Sequence, residues 1–255
     1  MKKLLTILGL TSLSVLPTFS VLSCKSYHWF RFPIIFKEPI YNADKTECLE
    51  IGYFTNDKGE IQIEPFNAKT KKVPSVLPKE ITSLAQAFES NENEFIDGIQ
   101  YWDTSNIRNM FAVFSRAQNF NQDISTWNTS NVENMSYMFN EAQNFNQDIS
   151  SWNTSNVEKM LSMFYNAERF NQPIGKWNVF KVFEMHSMFQ NALNFNQDLS
   201  EWDTSNVINM SYMFFKAEKF NQNISNWDVS QVRYFKRFTI HSNRNWKLEH
   251  RPEFY

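Results

Sequence analysis

Apolar residues in the middle of this chain recur in fixed columns with a period of twenty-five. Tryptophan falls at Trp102, Trp127, Trp152, Trp177, Trp202 and Trp227, and phenylalanine at Phe95, Phe120, Phe145, Phe170, Phe195 and Phe220. Alanine repeats at Ala117, Ala142, Ala167, Ala192 and Ala217, and Asn-Gln follows the phenylalanine in five copies. An incomplete unit precedes them, in which Ile81, Leu84 and Phe88 mimic Ile107, Met110 and Phe114 with one residue missing. So strict a register is the mark of one small structural unit stacked on copies of itself.

Within one unit, Val132, Met135, Met138, Phe139 and Ala142 stand at steps of three and four, which predicts an amphipathic helix about three turns long. Ser130 before it and Glu133 three residues on have the spacing of a capping box, repeated at Ser155 and Glu158. A return segment then leads to a short strand over Asp148–Trp152, and the Thr129–Asn131 turn closes the period. The predicted fold is therefore an α/β repeat solenoid, with one short parallel strand and one helix per 25-residue coil. Stacking brings each side chain against its own equivalent, so the Trp and Phe columns are expected to form the core.

The remaining segments read differently. Lys2 and Lys3 followed by an apolar run to Leu22 form an export signal over 1–23. Residues 24–47 carry no repeat and are expected to be a membrane-proximal tether, although "YHWFRFPIIF" is apolar enough for a lipid interface. Over 48–80, alternating apolar residues flank Asn56-Asp57-Lys58-Gly59, which predicts a hairpin that caps the first coil. The solenoid spans 81–238, and 239–255 forms a C-terminal cap or tail.

Two stretches carry family resemblances. Val21-Leu22-Ser23-Cys24 resembles a bacterial lipobox, which implies a diacylated Cys24 as the mature N-terminus, two acyl chains holding the protein to a bilayer far better than one. The motif "FNQDISxWNTSNVxxMSxMFxxA" resembles the BspA-like leucine-rich repeats of mycoplasma surface lipoproteins. That resemblance covers about Ile81 to Phe238, and it implies an α/β solenoid of leucine-rich-repeat type, exposure on the outer face of the cell membrane, and a role in adhesion or immune recognition.

Composition narrows the chemistry. With 42% hydrophobic and 20% charged residues the chain is an ordered protein, and a net charge of −2 offers no footprint for nucleic acid. Five glycines and no phosphate-binding pattern speak against a nucleotide enzyme. If Cys24 is lipidated, Cys48 alone remains, so no intrachain disulfide is possible, and Cys48 is read as a small apolar filler. Nine of the ten methionines fall in two columns on the buried stripe and read as core filler. The Asp123, Asp148 and Asp198 column is broken by Pro173 and Asn223 and reads as turn chemistry; the asparagines from Asn121 to Asn221 read as an inward amide ladder. No catalytic triad, metal set or cofactor motif is present, and no enzyme is predicted.

Function is then to be sought where the columns break. Phe180 stands where other copies place serine, Phe183 and Ile208 where two copies place glutamate, and Tyr212 and Phe215 continue the apolar line at i, i+4 and i+7 from Ile208. Phe180, Phe183, Ile208, Tyr212 and Phe215 are the candidate partner-binding patch, facing a host cell-surface or matrix macromolecule. Two other readings stand beside it: the tail from Val232, with Phe235, Phe238, Trp246 and Phe254, folds back over these residues, or the patch is irregular surface. The tail is also basic, which fits a charged cap that stops further coils adding, or contact with an anionic lipid or polyanion. The chain is thus read as a surface binding or adhesion module; the alternative is a structural or antigenic coat without a dedicated ligand.

Overall fold

A computed structural model describes residues 33–254. The predicted signal segment, Cys24 and the first part of the expected tether lie outside the described residues.

The described residues open with short strands: β1 (Phe36–Lys37), β2 (Ile40–Tyr41), β3 (Cys48–Glu50), β4 (Tyr53–Thr55) and β5 (Ile61–Ile63). β1, β4 and β5 form an antiparallel sheet in that order, and β2 pairs with β3. The β4–β5 turn is held by the Asn56 carboxamide, whose Oδ1 accepts from the amides of Lys58 and Glu60, both at 3.0 Å. Gly59 supplies the left-handed residue there, at φ 81°. β5 passes its register to the repeats, since Gln62 bridges Ser83 in parallel and the Ile63 amide donates to the Ser83 carbonyl at 2.9 Å.

From Ser83 onward a single ladder of parallel bridges runs through Asn109, Asn134, Lys159, Glu184, Asn209 and Tyr234. The coils stack as the repeat implies, but among the described residues they hold no α-helix, only single 3-10 turns at Ile99–Tyr101 and Ile174–Lys176, and no Asp148–Trp152 strand, so the α/β solenoid with a helix per coil is corrected. The bridge falls at Asn134, inside the segment predicted helical, whereas Ile149 to Trp152 is a turn closed by a 3.1–3.2 Å amide bond in each of these coils. A helix needs each amide to donate four residues back along its own chain. Here Met135, Tyr137, Phe139 and Glu141 donate instead to Lys159, Leu161, Met163 and Tyr165 of the next coil. The amides between them close tight turns three residues back: Met138 to Met135, Asn140 to Tyr137 and Ala142 to Phe139.

Linked turns place one apolar side chain inward at every third or fourth residue, which reproduces a helical stripe without a helix. The turns require left-handed residues four apart, and seven such pairs recur, from Gln86 and Ser90 through Tyr137 and Glu141 to Arg237 and His241. None of them is glycine. Each costs on the order of 1 kcal/mol, an outlay offset by the burial that the turns permit. With no helix to cap, Ser130 and Glu133 serve elsewhere: the Ser130 amide donates to Asn128 Oδ1, and Glu133 pairs with Arg108 of the preceding coil at 3.0 Å.

The core is a set of ring columns. Phe88, Phe114, Phe139, Phe164, Phe189 and Phe214 stack with centroids 5.5–5.8 Å apart. Phe120, Phe145, Phe170, Phe195 and Phe220 form a second column at 5.9–6.0 Å. The tryptophans line a third, and their indoles also donate across coils, Trp152 Nε1 to the Ile124 carbonyl and Trp177 Nε1 to that of Ile149. Phe95 is an exception to the predicted column, at 51% exposure. The stretch from Phe88 to Ile99 is one residue longer than its equivalent from Phe114 to Ile124, so Phe95 swings outward and Ile96 is buried instead.

Outside the rings, polar ladders join the coils. The amides of Asn146, Asn171, Asn196 and Asn221 each donate to the side-chain oxygen of the asparagine one coil earlier, at 2.8–3.0 Å. These asparagines are half-buried to exposed, so the amide ladder lies on the surface and not inward as predicted.

Candidate functional site

The outer columns are polar wherever the repeat is regular, because their backbone groups are satisfied by neighbouring coils and their side chains meet water. Column 180 holds serine in five of its six copies, and column 183 holds Arg108, Glu133 and Glu158 before Phe183 and Ile208. Stacking therefore sets Phe183 and Ile208 side by side: the Ile208 amide donates to the Phe183 carbonyl at 2.9 Å. Phe180 sits one turn earlier, its carbonyl accepting from Asn206 Nδ2 at 2.8 Å. Phe180 is 51% exposed and Ile208 36%, while Phe183 is half-buried beneath Lys159, whose Nζ lies 5.6 Å from the ring centroid.

Tyr212 and Phe215 form a second cluster, edge to face at 5.7 Å. They are half-buried, and cations frame them: Arg237 lies 5.8 Å over Tyr212 and Lys216 5.5 Å over Phe215. His186 and His241 meet the two rings edge-on at 5.6 Å. Arg237 and His241 belong to the last coil, which borders this cluster by continuing the stack.

The tail aromatics go elsewhere. Trp246 packs against Phe214 and Phe220 at 5.6 and 4.9 Å, and Phe254 stacks on Phe235 at 4.7 Å and meets Phe238 at 5.0 Å. They close the end of the core and leave Phe180 and Ile208 uncovered among the described residues.

The other polar columns are consumed by structure. Asp123, Asp148 and Asp198 accept from the amides two residues on, Ser125, Ser150 and Ser200, each at 2.9 Å. The Ser150 hydroxyl and amide hold the Asp148 carboxyl below its ordinary range. The nine column methionines are all buried in the core. Cys48 is buried, donates to the Glu50 carbonyl at 3.1 Å, and its thiol is pushed up to about 11 by burial. Among the described residues no three His, Cys, Asp or Glu side chains converge as metal ligands, and no helix is long and apolar enough to cross a membrane.

Sequence reasoning did not find a hollow of about 790 Å³ at the C-terminal end beside Lys216, His241, Arg244 and Arg251. Its only sequence signal was the density of cations in the tail.

A family model described as a Mycoplasma protein of unknown function, DUF285, matches residues 82–193 and again 173–245. No curated protein and no solved structure matches the chain.

Proposed function

The chain belongs to the DUF285 family of mycoplasma proteins of unknown function, and from that membership we propose a surface binding module that performs no chemistry. Its repeats resemble those of BspA-like surface lipoproteins, and this likeness, with the lipobox at Cys24, supports anchoring to the outer face of the cell membrane through lipid. Binding is assigned to the break in the outer columns formed by Phe180, Phe183, Ile208, Tyr212 and Phe215, toward a host cell-surface or matrix macromolecule.

The observation that carries this reading is the exposure of Phe180 and Ile208 in columns that are elsewhere serine and charged residues. Local stability does not ask for either side chain, since the equivalent Ser155 and Glu158 fit the same coil. Apolar groups set side by side where the repeat's own columns are polar mark an interaction site.

The test restores the regular pattern. Phe180→Ser with Ile208→Glu is expected to abolish binding of the purified chain to host cells or matrix proteins while its melting midpoint is retained. Binding unchanged by the pair, or absent from the parent, would favour a coat protein without a dedicated ligand.

A further inference from the structure

At the last coil the tail aromatics close the ring core, but the backbone edge stays open. Met210, Tyr212, Phe214 and Lys216 donate their amides to the carbonyls of Tyr234, Lys236, Phe238 and Ile240. One coil further on, the equivalent amides are those of Phe235, Arg237, Thr239 and His241, and no described residue accepts from them. That edge keeps the shape it has inside the stack, with φ of 56° at Arg237 and 60° at His241. The other end differs: there the amides of Ile63 and Phe66 donate to Ser83 and Ala87, and β4 and β1 cover β5. One end is capped by a sheet and the other presents a row of donors, the condition under which an edge recruits another backbone.

Three features state what that backbone must carry. Alternate amide donors call for a row of carbonyl oxygens, which an extended polypeptide supplies and a small anion does not. Tyr234, Phe235 and Ile240 flank the row at 60%, 40% and 45% exposure, so apolar side chains suit part of the segment. Between Arg233 and Phe254 stand six lysines and arginines against two glutamates. Arg233, Lys236, Arg237, Arg244 and Arg251 make no ion pair among the described residues, and Lys247 alone reaches a glutamate, Glu249, at 3.8 Å. Thr239 and His241, two owners of free amides, also line the 790 Å³ hollow with Lys216, Glu218, Arg244 and Arg251. Within it Arg251 Nη2 donates to the Trp246 carbonyl, while its Nε is buried without a partner.

We propose that this C-terminal edge binds an extended acidic segment of a partner polypeptide, pairing its carbonyls with Phe235, Arg237, Thr239 and His241 and setting its carboxylates against Lys216, Arg244 and Arg251. Two copies of the chain do not satisfy the edge end to end, because donor would face donor and cation would face cation. This edge adjoins Tyr212 and Phe215 of the first patch through Arg237, Lys216 and His241, but the two readings are told apart by their variants, Phe180→Ser with Ile208→Glu for the patch and Lys236→Glu with Arg244→Glu for the edge.

The probe is the peptide (Glu-Val)4 added to the full purified chain, with (Lys-Val)4 as control. Hydrogen exchange at amides 235, 237, 239 and 241 is expected to slow about tenfold or more near saturation, with affinity falling as salt is raised. Lys236→Glu with Arg244→Glu, both exposed sites, is expected to weaken binding at least tenfold while the melting midpoint holds. The proposal is overturned if these amides stay unprotected by the peptide, or if (Lys-Val)4 protects them equally. Protection that arises only from self-association, from heparin or from phosphatidylglycerol vesicles, and not from (Glu-Val)4, also overturns it.

Discussion

Glycine and alanine at position 141 rank in opposite orders for a left-handed turn and for a helix. Glu141 has φ 59°, and its amide donates to Tyr165 of the next coil at 2.7 Å. Its side chain makes no hydrogen bond or ion pair among the described residues, so both replacements lose the same little. Alanine in the left-handed region costs about 1–2 kcal/mol that glycine avoids. Glycine returns about 0.4–1 kcal/mol of that through its freer unfolded chain. Glu141→Gly should therefore be more stable than Glu141→Ala by about 0.5–1 kcal/mol. In a helix glycine would instead be worse than alanine by about 0.8–1.0 kcal/mol. For a chain of this size about 1 kcal/mol moves the midpoint by roughly 2–4 °C, so thermal melts followed by circular dichroism resolve the sign. An alanine variant that melts at or above the glycine variant refutes the linked-turn account of the coil.

Two further outcomes test the core and the N-terminal cap. Trp152 is buried, stacks on Trp177 at 6.4 Å and packs against Phe139 at 6.2 Å. Trp152→Ala should cost about 3–5 kcal/mol, and a midpoint lowered by less than about 3 °C contradicts ring stacking as the main source of stability. Burial pushes Tyr41 up to about 12, with the nearby Cys48 adding to the effect, and pushes Cys48 from its ordinary 9.0 to about 11. Both groups fold neutral, so their contribution is full below about pH 9 and is lost as pH rises through the folded values. Alkaline titration should accordingly loosen the strands around Cys48 between about pH 9 and 12, and Cys48→Ala should delay the onset; an onset unchanged in that variant counts against the assignment.

What could be read from the sequence was contact, not conformation. Identical residues at one period declare that equivalents touch, and the Trp, Phe and Met columns are buried where that logic puts them. The path of the backbone between them was not legible, because spacings of three and four fit a helix and a chain of tight turns equally. Glycine or asparagine at the left-handed sites would have separated the two, yet those sites carry residues such as Gln86, Arg116, Tyr137 and Lys216. Phe95 was misread for a related reason, since its column slips by one residue where the first coil is longer. Phe180 and Ile208 were legible as surface residues because they break polar columns. The unsatisfied amides of the last coil were not, for they follow from the direction of hydrogen bonds between coils, which composition does not record.

The direction of those bonds and the sameness of the columns have a consequence for how such a chain can change length. Removing one whole period between Ser105 and Asn226 brings together two faces that already match their former neighbours, ring over ring and amide over carbonyl. Losing a few residues instead shifts every column beyond the cut out of line with those before it. Length is thus adjustable in whole-coil increments, and variation can accumulate on the outside while the inside is conserved by self-matching alone.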